Sequence, residues 1–189
     1  MTIKLKYTEA KGVKFLNPGF MVTGQTTFDE KTFLDYYIPA INTAIQQKFN
    51  VYVGMADGVD KLTRRYLAEK KYDKVIIVNK KDDFNPVIFG LGWTFVHGFS
   101  GYPERDDWML EKCDHVVGFI KKAGNELKDV YSLGSGTFRN LMIKKFGNIG
   151  KEIQTLIRES NFKTINDVSI AVKKKFNIEI SDFIKSRLI

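Results

Sequence analysis

Short apolar runs, each bounded by turn residues, alternate with stretches whose apolar positions recur at helical spacing. "GFMVTG" (19–24), "NVYVGMADGVD" (50–60), "KVIIVN" (74–79) and "HVVGFI" (115–120) have the length and continuity of strands buried on both faces, the second breaking into a loop. Helical periodicity runs through "EKTFLDYYIPAINTAIQQKF" (30–49), with Asp29 as N-cap and Pro39 as a kink. It returns in "KLTRRYLAEKKY" (61–72), "ERDDWMLEKC" (104–113) and "TFRNLMIKKFG" (137–147), the last ending at Gly147. "GKEIQTLIRESN" and "TINDVSIAVKKKF" add two amphipathic helices. Between Lys80 and Pro103 the pattern fails, and a long Gly-hinged loop is expected, of the kind that serves as a lid or specificity wall. "KKAGNELKDVYSLGSG" reads as a second loop.

Strands alternating with helices predict an α/β fold: a Rossmann-like parallel sheet with helices on both faces, plus a C-terminal helical extension. The expected division is a nucleotide-binding domain over 1–147 and a basic helical extension over 148–189. In such sheets ligands sit outside the strand carboxyl ends, near a topological switch point. Three loops rich in Gly and in hydroxyl or acidic residues are read as following strands: "TGQTT" (23–27), "GMADGVD" (54–60) and "SLGSGT" (132–137).

Composition narrows the partners. Hydrophobic residues make up 43% and aromatics 13%, which favours a packed core over disorder. The net charge of +8 is uneven: Leu141–Ile189 holds ten Lys/Arg against five Asp/Glu, so +5 belongs to the tail and +3 to the rest. Basic helices attract nucleic acid or present a solvated face. The lack of an arginine-rich or aromatic-interleaved pattern favours the solvated face, leaving nucleic acid as the alternative partner. Cys113 is the only cysteine and the histidines are His97 and His115, so neither a Cys-based zinc cluster nor a histidine-rich site is expected. No metal or cofactor is predicted. No apolar run is long enough for a bilayer and "MTIKLKYTEAKG" lacks a signal-peptide core, so a cytoplasmic setting without membrane association is expected.

The loops carry the candidate chemistry. A Gly134-Ser135-Gly136-Thr137 turn opening a helix leaves backbone N–H groups facing outward at the positive end of the macrodipole, a seat for an anion such as phosphate. The plainer reading is a turn with Ser135 or Thr137 as N-cap. Asp57 suits a ribose hydroxyl, whereas Asp60 reads as the cap of the following helix. Trp93 and Trp108 offer base-stacking faces or core packing, Cys113 reads as a small buried hydrophobe, and Asp114 as structural.

Taken together, Val22-Thr23-Gly24, "GMADGVD", "ERDDWMLEKCDHVVGFI" and "GSGT" resemble the SLOG superfamily of Rossmann-like nucleotide-binding proteins, over roughly residues 19–147. That superfamily includes the LOG (Lonely Guy) phosphoribohydrolases and DNA-processing protein A. The resemblance implies a nucleotide ligand contacted by Thr23, Gly24, Gln25, Gly54, Met55, Asp57, Gly134, Ser135, Gly136, Thr137, Arg139 and Asn140. Its 5′-phosphate would lie on "GSGT" with help from Arg139 or Arg105. Glu104, Arg105 and Asp106 are implied as the catalytic group of an N-glycoside hydrolase acting on nucleoside 5′-monophosphates. Two positions depart from LOG proteins: Asn140 stands where they carry a catalytic glutamate, and Asp106 where they carry lysine. The rival expectations are a non-catalytic nucleotide sensor or sequestering protein, and a DNA-binding module. A homo-oligomer is the expected assembly.

Overall fold

The computed structural model describes residues 6–9, 15–80 and 92–189. They fall into two compact units, dividing between Val117 and Gly118. The first unit runs β1 (Lys6–Glu9), β2 (Gly19–Val22), α1 (Glu30–Tyr36), α2 (Ile38–Gln46), β3 (Asn50–Val53), α3 (Val59–Glu69), β4 (Val75–Val78), β5 (Thr94–His97), α4 (Tyr102–Lys112) and β6 (His115–Val117). Its six strands form one sheet in the order β1-β5-β4-β3-β2-β6, with every neighbouring pair parallel.

This is the α/β, Rossmann-like sheet expected. Residues of β2, β3 and β4 are buried at every position, because helices cover a parallel sheet on both faces and leave no side for water. From β2 the chain steps outward through β3, β4 and β5, then returns past β2 to lay β6 on its other side. Right-handed crossovers place the helices of the outward steps on one face and α4, on the return, on the opposite face. The switch point therefore lies between the carboxyl ends of β2 and β6. There Thr23 N donates to Val117 O at 3.0 Å.

The expected helix over 30–49 is two helices broken at Tyr37, which ends α1 and begins α2. Asp29 caps α1 as expected, its carboxylate accepting from Thr32 N. Pro39 sits in the first turn of α2, where its missing N–H costs nothing, rather than kinking a continuous helix. The loop expected over Lys80–Pro103 contains β5, paired to both β1 and β4. The rest of that expectation, residues 81–91, lies outside the described residues.

The second unit runs α5 (Glu126–Ser132), α6 (Gly136–Phe146), α7 (Asn148–Glu159), α8 (Ile165–Phe176) and α9 (Ser181–Arg187). Its core joins Val130, Leu133, Phe138 and Met142 to Ile153, Ile157, Val168, Val172 and Ile184. Residues 118–147 thus pack with the helical tail, whereas the sequence pattern placed the division after Gly147. The segment read as a loop over 121–136 contains α5. Asn125 caps it, accepting from Lys128 N at 2.9 Å, and Val130 and Leu133 anchor it. Among the described residues no helix is long and apolar enough to cross a membrane.

Candidate functional site

The chain leaves β3 through Gly54-Met55-Ala56-Asp57-Gly58 and enters α3 at Val59. Gly58 has φ +66°, and a Cβ there would lie 2.3 Å from Gln25 O, so the loop after β2 rests directly on it. Only glycine permits both the backbone conformation and this approach. Val59 N donates to Gln25 O at 3.2 Å, and Gly24 lies against Val59 and the Tyr37 hydroxyl. The two loops at the carboxyl edge of β2 and β3 are therefore built as one surface.

α3 then turns Asp60 and Arg64, four residues apart on one helix face, back beneath the loop. The Asp60 carboxylate accepts from Ala56 N at 3.3 Å. Arg64 donates to two loop carbonyls, Nη1 to Gly54 O at 2.5 Å and Nη2 to Ala56 O at 3.2 Å. From α4, Arg105 donates through Nε and Nη2 to Asp106 Oδ1, at 2.8 and 2.6 Å, and lies over the Tyr102 ring at 5.0 Å. These groups converge at Gly54. A Cβ there would be 2.4 Å from Asp60 Oδ2 and 3.2 Å from Arg105 Nη1.

Burying two arginines with two aspartates sets their electrostatics. Burial pushes the Asp60 carboxyl up to about 6, against the lowering pull of Arg105 and Arg64 and with a smaller raising effect from Asp106. Burial also lowers Arg64 from its usual value, opposed by Asp60 and Asp57. Arg64 was not singled out in the sequence, and Asp60 was read as a helix cap. Gly58 is instead the N-cap residue of α3, and Asp60 sits in the first turn, serving the loop. Their four-residue spacing behind a Gly-rich loop is the one signal in the sequence by which they could be found.

The structure brings Thr23, Gly24, Gln25, Gly54, Met55, Arg105 and Asp106 to this edge of the sheet. Asp57 also lies on the loop, but its carboxylate faces solvent and pairs with Lys61 at 3.4 Å. Glu104 is exposed at the start of α4 and accepts from Ser100 N at 2.6 Å and from Ser100 Oγ at 2.5 Å. That is the geometry of a helix-start acid. Trp93 is buried and donates to Tyr72 O at 2.7 Å, a core role, while Trp108 lies edge-on to Tyr52. Cys113 is buried, and Asp114 Oδ2 accepts from Gly19 N at 2.9 Å.

Gly134, Ser135, Gly136, Thr137, Arg139 and Asn140 belong to the second unit. "GSGT" joins α5 to α6, so it follows a helix and not a strand. Helix α5 uses two of its amides: Gly134 N donates to Tyr131 O and Ser135 N to Ser132 O. Ser135 is the N-cap of α6, its Oγ accepting from Phe138 N at 3.3 Å. Gly136 faces open space, whereas Thr137 and Asn140 are buried. Arg139 Nη1 reaches Asn140 Oδ1 at 3.4 Å. From α7, Gln154 Nε2 holds the turn by donating to Leu133 O at 2.9 Å.

No protein-family model matches this chain, and no curated protein or solved structure matches it.

Proposed function

We propose that the chain binds a nucleotide, of the nucleoside 5′-monophosphate class, at the carboxyl ends of β2 and β3. The observation that carries this reading is Arg105. Asp106 occupies two of its nitrogens, and Nη1 is left directed at Gly54 beside the sheet's switch point. A braced arginine over a glycine loop suits a planar, charge-assisted contact to an anionic ligand. The motif resemblance to SLOG proteins supports the same class of ligand.

The geometry favours holding the ligand over cleaving it. Both carboxylates assigned to N-glycoside hydrolysis are engaged within the chain, Glu104 by Ser100 and Asp106 by Arg105. Asn140 supplies no carboxylate. Asp60 is the one observation on the side of hydrolysis, because a carboxyl titrating near 6 is suited to proton transfer at neutral pH. The test is incubation with a panel of ribo- and deoxyribonucleoside monophosphates, following bound and released species by mass spectrometry. Retention of an intact nucleotide is the expected result. Release of free base, abolished in Glu104→Gln or Asp60→Asn, would establish the hydrolase, and failure of every nucleotide to bind would remove both readings.

A further inference from the structure

Peptide planarity fixes where the amides of the β3–α3 loop point. The chain has no cis peptide among its described residues, so each carbonyl is antiparallel to the N–H of the next residue. One guanidinium, that of Arg64, draws in Gly54 O and Ala56 O together. The N–H groups of Met55 and Asp57 are thereby turned to the side away from Arg64. Neither donates a hydrogen bond among the described residues. Ala56 N–H, between them, is taken by Asp60.

A second observation is independent of the loop's shape. Arg64 is only 4% exposed, its Nε is buried without a partner, and no described carboxylate makes a contact ion pair with it. Asp60 and Asp57 act on it without a contact pair, and the cation carries its positive potential to the loop it grips.

We infer that Met55 N–H, Asp57 N–H and Arg105 Nη1 form the seat for the ligand's phosphate, and that Arg64 is the positioning residue that presets it. The inference rests on the nucleotide reading above but moves the phosphate from "GSGT" to the β3–α3 loop. Outward amides paired with a cation are a recurring way to hold a phosphate. Here the amides are aimed before the ligand arrives, so little ordering remains to oppose binding. Asp60, packed against the same loop, has its carboxyl pushed up to about 6 by burial, so its repulsion of an incoming anion is relieved only below that pH.

The experiment is an amide-resolved NMR titration of the full chain with inorganic phosphate, then with a nucleoside 5′-monophosphate. Phosphate should shift Met55 and Asp57 most, leaving Gly136 and Thr137 unmoved. Arg64→Lys, whose single ammonium replaces the two-pronged grip on the carbonyls, should weaken phosphate binding at least tenfold and abolish those two shifts. If that variant does not fold, the wild-type map alone decides. Shifts confined to Gly136 and Thr137, or no response to phosphate, would overturn the inference. A nucleotide that binds without moving Met55 and Asp57 would overturn this placement and leave the nucleotide reading standing. Phosphate seated at the loop with no nucleotide bound would do the reverse.

Discussion

At Asp60 burial and charge pull in opposite directions, and burial prevails. Its carboxyl titrates near 6 in the fold against 3.8 for the free side chain. The folded chain therefore holds a proton that the unfolded chain has released between those values. Stability from this group falls as pH rises from about 4 to 6 and stays reduced above, by on the order of 3 kcal/mol. Asp60→Asn keeps an acceptor for Ala56 N and removes the titration. Urea unfolding at pH 4 and pH 7 should show the variant gaining on wild type by that amount; parallel pH dependence would refute it. Sulfate, whose charge is constant here, should bind more tightly below pH 6, as Asp60 becomes neutral among Arg64, Arg105 and Asp106. Equal sulfate affinity at pH 5 and pH 8 would exclude the coupling. Gly58→Ala puts a methyl onto Gln25 O and demands φ +66° of alanine, so it should cost about 2 kcal/mol or more in denaturant unfolding. In the sequence, Gly58 and the acids of "GMADGVD" were legible as a loop with chemistry. The reach of Arg64 back to two carbonyls was not, because it depends on a rotamer set by packing.

Helix α8 shows how much a local signal can carry. Thr164 and Asp167 form a capping box: Thr164 Oγ1 accepts from Asp167 N at 3.0 Å, and Asp167 Oδ2 accepts from Thr164 N at 2.9 Å. Its hydrogen bonds with Thr164 hold Asp167 below the usual carboxylate range, so this cap weakens as pH falls through that depressed value. Thr164→Ala should lower stability by about 1 kcal/mol, read as a lower urea midpoint at unchanged slope. No change in midpoint would mean that the cap carries no weight. The cap and the apolar spacing of "VSIAV" stand plainly in the sequence, as do the all-apolar β3 and β4. Helix α5 and strand β5 do not. Around α5 the run between Gly124 and Gly134, with Leu127, Val130, Tyr131 and Leu133 as its apolar positions, is too short to establish a period, and tertiary packing makes the helix. β5 is four residues inside a Gly- and Asp-rich stretch, and its partners β1 and β4 are fixed by topology.

Across the molecule, the tail's charge finds structural uses. Lys173, Lys174 and Lys175 occupy the last turn of α8, where cations offset the negative helix end, and Lys173 pairs with Glu179 at 3.2 Å. Duplex DNA should therefore show no retention at about 0.15 M salt by fluorescence anisotropy. Tight binding falling steeply with salt would return the tail to nucleic acid. The sheet order has a different consequence while the chain is being made. β2 lies between β3 and β6, yet 95 residues separate Gly19 from its partner Asp114. The other edge can close once β3 is made, so at ribosomal rates of about 5–20 residues per second the edge of Phe20-Met21-Val22 that faces β6 stays unpaired for roughly 3–13 s longer. An apolar strand with open N–H and C=O groups is a template for a neighbouring nascent chain. The yield of correctly closed sheets is therefore expected to fall as polysomes crowd.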